Sequence, residues 1–394
     1  MSARPLAPLA ARDHRIDLLR GFALATIFIN HVPGNVAERL TTKNFGLSDS
    51  AELFVLLAGM AAAFAYYPRF DGGDRLLATG RAVKRAGTLY VAHLASTLVG
   101  LAIFCFGALA FAAPGLLDEI NIPPLLEDPV RGLIGLATLT HQLGYHNILP
   151  MYVCLLLGVP LIMTLARIGP GVLLSASLIL YGLTQVFGLT PPNYPGEGGW
   201  FFNPFAWQLI FVVGFLVGMR MMQGLTPVPY IRWLWLAAGA YLVAAMIYHR
   251  WNLYGSIPNV PFLPHNFQIN EKPWLALPRL THILSLAYFV GHSPLMRWLG
   301  RAGQMNPLVL LGRNALPVFW TGTALSMVGQ VIMRTGEIGP ALQVALLTFG
   351  LGIQLALAFG LDWIARAEKR RRTASQFAVQ APARTVSRRP PVAA

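Results

Sequence analysis

The sequence predicts an all-α polytopic membrane protein with about ten transmembrane helices and with both termini in the cytoplasm. Of its 394 residues, 55% are hydrophobic and only 12% are charged, whereas soluble domains carry about 25% charged residues. Apolar runs of about 17–25 residues, long enough to cross a bilayer, recur along the chain. Lys and Arg concentrate in alternate loops and in the C-terminal tail, as they do in cytoplasmic segments of membrane proteins.

The predicted spans follow one another along most of the chain. They lie near residues 17–37, 50–68, 86–112, 146–166, 171–189, 205–222, 233–250, 277–292, 306–333 and 341–363. A further apolar stretch at 130–140 is too short to cross, so we expect it to lie at the interface or to re-enter the membrane.

The spans divide the chain into three parts. Residues 1–15 are basic and contain no separate apolar core or cleavage site, which predicts a cytoplasmic leader rather than a cleaved signal peptide. Residues 16–365 predict one membrane domain without an internal repeat. Residues 366–394 are basic and lack long apolar runs, a composition typical of a disordered cytoplasmic tail.

The distribution of charge gives the orientation. Lys and Arg are frequent in the loop 69–85 and in the segment 366–372, whereas the loops 113–128 and 190–204 carry acidic residues. By the positive-inside rule the first pair of segments is cytoplasmic and the second pair is outside. The formal net charge of +14 is then explained by topology and contact with anionic lipids, and not by nucleic acid.

The cysteines and histidines give no metal motif. Cys105 and Cys154 both lie in apolar runs, so neither a disulfide framework nor a metal site is expected. His141 and His146 are five residues apart, which is poor spacing for two ligands on one helix face.

The first span carries the clearest candidate for chemistry, a single histidine near its outer end. His31 follows Arg20 by eleven residues, so the two lie on one helical face, about 16 Å apart along the axis. Ionisable side chains inside a membrane are costly and indicate a functional site by default. A neutral imidazole can take a proton from a hydroxyl group. The alternative is a packing histidine that is hydrogen-bonded to a neighbouring helix.

Two charged residues lie at the inner end of the same face. Arg20 is suited to bind phosphate groups of a ligand from the cytosol, or it extends to the interface without a further role. Asp17 is expected to form an ordinary helix ion pair with Arg20, or to hold the imidazole of His31. About 20 Å of helix separates Asp17 from His31, which makes it the weaker candidate for that second role.

The second span begins with Asp49 and Glu52. Their spacing predicts a capping box, in which the two side chains bond to the first backbone N–H groups of the helix. It also leaves open a contact of Glu52 with His31 across the hairpin, where the carboxylate would orient the imidazole. Gly59 and the small residues around it predict a close approach of this helix to the first.

Other polar residues fall inside or at the mouth of the predicted membrane region, where facing lipid would be expensive. Each one alone is more typical of a structural role, and together they predict a polar cavity in the bundle. They are His141, His146, Asn147, Asn203, Gln208, Arg279, His282, Arg313 and Asn314. The outer loops 190–204 and 251–275 are rich in Pro, Gly, Asn and aromatic residues. They predict either a surface that stacks on sugar rings or interfacial Trp and Tyr belts with stiff turns.

Several segments resemble a known family. RIDLLRG, followed by His31 in IFINHVPGN, resembles the Arg-x10-His signature in the first helix of the acyltransferase-3 superfamily. Four more segments are similar to its OpgC-like branch, the succinyltransferases of osmoregulated periplasmic glucans. These are FGLSDSAELFVLLAG at 45–59, HNILPMY at 146–152, NPFAWQLIFVVGF at 203–215 and LGRNALPVF at 311–319. The resemblance covers almost the whole membrane domain, which it implies is a membrane acyltransferase domain.

This resemblance implies a multi-pass enzyme of the bacterial inner membrane. It would move an acyl group, succinyl in this branch, from cytosolic acyl-CoA to hydroxyls of a periplasmic glucan. Acyl-CoA (succinyl-CoA) is a co-substrate, and no bound cofactor and no metal is expected. The matching positions are Arg20 and His31 in the signature, with Asp17 and Glu52 in the flanking motifs.

We therefore expect three groups of site residues. The catalytic group is His31, Glu52 and Asp17, and the donor group is Arg20, Arg313 and Asn314. The acceptor and cavity group is Asp49, His141, His146, Asn203, Gln208, Arg279 and His282. Two other functions share the polytopic build: a transporter or flippase for a glycan or lipid-linked sugar, and a membrane scaffold without chemistry. Paired halves, which would favour a transporter, are not found in the sequence.

Overall fold

The structure, a computed structural model, describes residues 13–256, 260–268 and 270–380. Within these residues the chain forms α-helices and two short 3-10 helices, Val36–Leu40 and Thr42–Asn44, and no strand. The helices are α1 (His14–Asn30), α2 (Ser50–Asp71), α3 (Arg75–Ala110), α4 (Leu116–Glu119), α5 (Pro123–Glu127), α6 (Pro129–Ala137), α7 (Ile148–Ile168), α8 (Pro170–Phe187), α9 (Pro204–Met222), α10 (Arg232–Arg250), α11 (His265–Gln268), α12 (Leu277–Gly291), α13 (Pro294–Leu299), α14 (Pro307–Arg313), α15 (Ala315–Thr335) and α16 (Pro340–Gln380).

Seven of these helices are long and apolar enough to cross a membrane. They are α2, α3, α7, α8, α9, α15 and the part of α16 from Pro340 to Arg372. The predicted all-α, multi-pass membrane fold is thus confirmed. Three more predicted spans coincide with α1, α10 and α12, which have 17, 19 and 15 residues and are shorter or more polar. The total of ten spans and the side of each terminus stay predictions.

Several predicted boundaries differ from the structure. α1 ends at Asn30 instead of near residue 37, and α3 begins at Arg75 instead of near residue 86. The predicted span 306–333 is broken into α14 and α15 at Asn314, whose side-chain amide bonds to the carbonyl oxygens of Leu310 and Ala358 at 3.1 and 3.2 Å. The last helix does not end near residue 363, because the following Ala, Glu, Lys and Arg residues are strong helix formers. Residues 366–380 of the expected disordered tail are therefore helical. Residues 1–12 of the leader and 381–394 of the tail lie outside the described residues.

Glycines allow two pairs of helices to cross in close contact. A Cβ atom on Gly21 of α1 would lie 1.9 Å from the carbonyl oxygen of Leu308, and one on Gly312 of α14 would lie 1.8 Å from that of Asp17. A Cβ atom on Gly59 of α2 would lie 1.9 Å from the carbonyl oxygen of Phe211 in α9. Small residues permit such backbone contact between membrane helices. The expectation that Gly59 brings α2 close to α1 was wrong, because Gly59 faces α9.

These crossings predict a large effect of a single methyl group. The change Gly59→Ala should lower the free energy of unfolding by about 1–3 kcal/mol, because the backbones of α2 and α9 must separate. Thermal unfolding in detergent measures the loss. Gly182→Ala in α8 is the matched control, since a Cβ atom there meets no atom within 4 Å. It should be neutral or stabilise the helix by up to about 1 kcal/mol. Equal melting temperatures for the two variants would contradict the close crossing.

Candidate active site

His31 lies at the C-terminal end of α1, where the helix gives way to the hairpin that leads to α2. Its N–H group donates to the carbonyl oxygen of Ile27 at 2.9 Å, and its carbonyl oxygen accepts a hydrogen bond from Nε2 of Gln330 in α15 at 2.6 Å. The backbone is thus held from both sides. The side chain is partly exposed, and no residue in the described part of the chain hydrogen-bonds to its ring nitrogens. Such an imidazole has both nitrogens available for chemistry.

One aromatic ring packs against this imidazole. The ring centroids of His31 and Tyr145 are 5.0 Å apart and their planes are inclined by 63°, which is an edge-to-face contact. The ionisable groups close enough to act electrostatically on His31 are Lys272, His146 and Asp49. The histidine therefore lies between the loop that precedes α7 and the charged residues at the start of α2.

Those charged residues form an ion cluster, defined here as Asp49, Glu52, Lys272 and Arg279. Oδ2 of Asp49 lies 2.6 Å from Nζ of Lys272 and 3.3 Å from Nη2 of Arg279, while Oε1 of Glu52 lies 2.6 Å from the same Nη2. Glu52 is fully buried. Two carboxylates thus face two cations, so the cluster is neutral and its buried charges are compensated.

The capping box predicted for α2 is present and serves this cluster. Oε2 of Glu52 accepts from the N–H of Asp49 at 2.8 Å, and Oδ1 of Asp49 accepts from the N–H of Ala51 at 2.8 Å. Burial acts to raise the pKa of Asp49, but Lys272 and Arg279 outweigh burial and hold this pKa below its usual range. Both carboxylates are therefore bonded away from His31. One interpretation of the sequence expected Glu52 to orient the imidazole of His31. Within the described residues Glu52 instead bonds to Arg279 and to the backbone N–H of Asp49.

The segment that carries Lys272 is held firmly by α8 and α9. Four consecutive carbonyl oxygens each accept a hydrogen bond from these helices or their ends. The pairs are Lys272 with Nε1 of Trp207 at 3.0 Å, Pro273 with the N–H of Asn203 at 3.4 Å, Trp274 with Nε2 of Gln185 at 2.7 Å and Leu275 with the hydroxyl of Tyr181 at 2.9 Å. The backbone that carries the Lys272 side chain is therefore fixed in position. The ammonium group also lies 5.4 Å from the ring centroid of Phe202, within range of a cation–π contact.

A cavity opens between α1, α2, α3, α7 and α15. Its empty volume, with the open mouth included, is about 800 Å³. Arg20 and Arg85 line it together with Tyr66 and Tyr152, and the remaining wall is apolar. Arg20 also donates to the carbonyl oxygen of Leu57 at 3.3 Å and lies 3.9 Å from Oδ1 of the buried Asp17. Asp17 therefore pairs with Arg20 at the end of α1 that is remote from His31.

His31 is not among the residues that line the cavity, but parts of the two helices that follow its hairpin and its ring partner are. Among the lining residues, Ile148 and Leu149 form the first turn of α7 and Phe54 lies in the second turn of α2. Ile148 follows Tyr145, the ring partner of His31, by only three residues. The cavity thus extends from two arginines to the elements that surround the histidine.

Four of the expected site residues have structural hydrogen-bonding partners instead. Nη1 of Arg313 lies 2.6 Å from Asp362 of α16, and Asn314 bonds to the backbone of α14 and α16. Asn203 caps α9 and also bonds to the carbonyl oxygen of Leu189 at 2.6 Å. Gln208 exchanges two hydrogen bonds with Ser177 of α8, at 2.6 and 2.9 Å. None of the four lines the cavity.

The remaining expected residues are histidines. Nδ1 of His282 is hydrogen-bonded to Ser48 at 2.7 Å, next to the ion cluster. His146 lies between the carbonyl oxygens of Gly144 and Ser96, at 3.2 and 3.0 Å. His141 is fully buried in the loop before α7, and burial lowers its pKa. Among the described residues, no group of three His, Cys, Asp or Glu side chains is placed to hold a metal ion.

Sequence reasoning missed four residues of this region. His93 of α3 is buried and its ring centroid lies 6.5 Å from that of His146; as a histidine inside a predicted span, it was open to the argument applied to His31. Lys272 had a signal too, because it is a cation in a predicted outer loop, and the positive-inside rule leaves such loops poor in cations. Arg85 was hidden among the topology signals of the loop 69–85. Tyr145 had no signal, since its contact depends on the folded backbone.

The ion cluster predicts a strong stability effect. Arg279→Met removes one partner of the fully buried Glu52 and should lower the free energy of unfolding by about 3 kcal/mol or more, because a buried charge loses its compensation. Thermal or denaturant unfolding in detergent measures this change. The control is Arg334→Met, which breaks the ion pair with Glu119, whose side chains are 50% and 39% exposed. That change should cost less than about 1 kcal/mol. Similar losses for both variants would contradict the prediction.

Comparison with known proteins identifies the family. The family model described as OpgC_C, OpgC protein, matches residues 12–366, a range that contains every site residue described above. No curated protein matches the chain, and no solved structure does. The relation to the wider acyltransferase-3 superfamily stays a prediction. Because the matched segment is most of the chain, the protein belongs to the OpgC family and is, at the level of that family, a glucan-modifying acyltransferase of the multi-pass membrane type.

Proposed function

We propose that the protein transfers a succinyl group from cytosolic succinyl-CoA to hydroxyls of a periplasmic glucan, across the bacterial inner membrane. The observation that carries this proposal is the placement of His31. It has unbonded ring nitrogens at one end of α1, while the arginine-lined cavity begins toward the other end. One helix thus joins a cationic pocket to a free imidazole, which is the arrangement that transfer between two compartments needs.

His31 is the base of the proposed reaction. Its free ring nitrogen takes the proton of a glucan hydroxyl, and the hydroxyl oxygen attacks the thioester carbonyl carbon. The carbon–sulfur bond then breaks, and the thiolate of CoA receives the proton from the imidazolium. The products are a succinyl half-ester and free CoA. An acyl-histidine intermediate is the alternative route, and it uses the same free nitrogen as the nucleophile.

The cavity is suited to the donor. Guanidinium groups bind phosphate oxygens in bidentate fashion, so Arg20 and Arg85 are the groups that would hold the phosphates of CoA. The apolar wall between these arginines and Ile148 would take the pantetheine arm. Arg313 and Asn314, which we had expected at the donor site, are bonded to α16 and are not part of this proposal.

The outer side is suited to the acceptor. The ion cluster fixes the outer loop that precedes α12 onto the start of α2. Next to it lie aromatic rings of the other outer loop, Phe201 and Phe202, whose centroids are 5.1 Å apart. Phe201 is 45% exposed, and an exposed ring beside polar groups is typical of a surface that stacks on sugar rings. We assign this surface to the glucan.

The first test is turnover by the purified protein. Wild-type protein in liposomes, given succinyl-CoA and a glucan, should release free CoA and yield succinylated glucan in mass spectra. His31→Ala should reduce the rate by at least about 100-fold, because the reaction loses its base. His249→Ala is the matched control and should keep activity, since His249 lies at the end of α10 and bonds to Tyr254. Movement of glucan without CoA release would favour the transporter, and normal ester content with His31→Ala would refute the role of His31.

The second test concerns the donor cavity. Arg85→Gln should raise the KM for succinyl-CoA by about tenfold, because one charge-assisted contact to phosphate is lost. The KM for the glucan should not change, since the glucan binds on the other side. Arg75→Gln, in the first turn of the same helix α3 and absent from the cavity lining, should leave both constants unchanged. A change confined to the glucan KM would contradict the proposed orientation of the two sites.

A further inference from the structure

The orientation of the His31 imidazole has an unusual origin. In many enzymes a carboxylate accepts a hydrogen bond from one ring nitrogen of a catalytic histidine and so fixes its orientation. Here the two carboxylates at the start of α2, Asp49 and Glu52, bond to Lys272, Arg279 and the backbone of α2. Within the described residues no hydrogen bond reaches the imidazole. Another contact must therefore hold this ring.

The geometry points to Tyr145 as the positioning residue of His31. This inference rests on the proposed function, in which His31 is the base. The two rings meet edge to face, with centroids 5.0 Å apart. Such contacts favour one relative orientation of the rings because the positive edge of one faces the negative face of the other. The contact limits rotation of the imidazole and leaves both of its nitrogens open to substrate.

The backbone of Tyr145 supports this role. Its φ of 67° lies in the left-handed region, which residues with a Cβ atom seldom adopt and which is uncommon for a bulky aromatic residue. Conformations of this kind persist only where the surrounding structure enforces them. A glycine would adopt this backbone conformation more easily, so the Tyr145 ring is present in spite of a conformational cost.

The neighbours of Tyr145 supply that enforcement. The N–H of Gly144 donates to the carbonyl oxygen of Ile120 at 3.0 Å, and the N–H of His146 donates to that of Leu143 at 3.1 Å. The His146 ring is fixed between two further carbonyl oxygens. Leu143 is fully buried in an apolar cluster that includes Phe104 and Met327, and Tyr145 packs against this cluster. The loop is thus held by hydrogen bonds on both sides of Tyr145, so the Tyr145 ring has a fixed position against the imidazole.

The opposite side of the histidine is held as well. Gln330, itself only 4% exposed, donates to the carbonyl oxygen of His31. Gln330 fixes the backbone of His31 and Tyr145 fixes its ring, so the imidazole has one preferred direction. A reacting group held in one direction avoids the loss of rate that follows a small misplacement.

The inference predicts a specific pattern among variants of Tyr145. Tyr145→Leu removes the ring at similar bulk and should lower kcat at least about tenfold, with an unchanged KM for succinyl-CoA. Tyr145→Phe keeps the ring and should retain nearly the wild-type kcat. Tyr145→Gly relieves the φ of 67° but loses the packing of the ring on the apolar cluster, and below its melting temperature it should lose kcat as the Leu variant does. A purely structural role would instead couple the loss of activity to a loss of stability.

The matched control is another tyrosine–histidine contact. Tyr230 lies 5.6 Å from the ring of His292, with the planes inclined by 56°, in the loop before α10. Tyr230→Leu should leave kcat unchanged. Wild-type kcat in Tyr145→Leu or Tyr145→Gly would overturn the inference. A Phe variant as impaired as the Leu variant would also overturn it, because the hydroxyl rather than the ring would then be responsible.

His31→Ala, measured in parallel, separates this inference from the proposed function. If His31→Ala is inactive while Tyr145→Leu is fully active, only the positioning role is refuted. If His31→Ala is active, the proposed role of His31 is refuted together with the inference that depends on it. Wild-type protein that releases no CoA from succinyl-CoA would refute the proposed donor before either variant is considered.

Discussion

Arg279 between the carboxylates of Asp49 and Glu52 is the interaction on which the surroundings of His31 depend. It joins the first turn of α12 to the first turn of α2, and Lys272 adds the outer loop to the same point. In a region of low polarity these charges are tolerable only together. The start of α2 is therefore fixed in position, and with it the hairpin that ends at Asp49 and begins at His31. The ion cluster thus helps to position His31 through the hairpin, although His31 makes no hydrogen bond or ion pair with the cluster in the described residues.

The need of buried polar groups for partners also explains why the site predictions from sequence were incomplete. The rule that intramembrane polar groups mark a site identifies residues that need a partner, but it does not tell which partner they have. Gln208 and Asn203 satisfy the rule through α8 and the end of α9, and Arg313 satisfies it through Asp362. Their partners lie 31, 14 and 49 residues away along the chain. A hydropathy pattern reports local preference and contains no information about such distant pairs.

The positions of most helices could be predicted from the sequence, because the hydropathy and length of each apolar run are local properties. The capping box at Asp49 and Glu52 was predicted and is present. The errors fall where tertiary contacts override local preference. Asn314 interrupts a continuous apolar run by bonding to α16, and Gly59 faces α9 although the chain order favoured α1. Tyr145 could not be found at all, since its left-handed backbone and its contact with His31 exist only in the folded chain.

α1 sets the geometry that relates the two halves of the site. Its middle is fixed against α14 by the crossing of Gly21 and Gly312, and its C-terminal end is fixed by Gln330. Arg20 and His31 are both on this one helix, so their separation of about 16 Å is set by the helical rise and cannot vary with the packing of other helices. A phosphate group bound by Arg20 would therefore lie at a constant distance from the imidazole along the helix axis. The first turn of α7 and the second turn of α2 line the cavity, and in the chain they follow the loop that carries Tyr145 and the hairpin that begins at His31, so these two turns connect the cavity to the surroundings of the histidine.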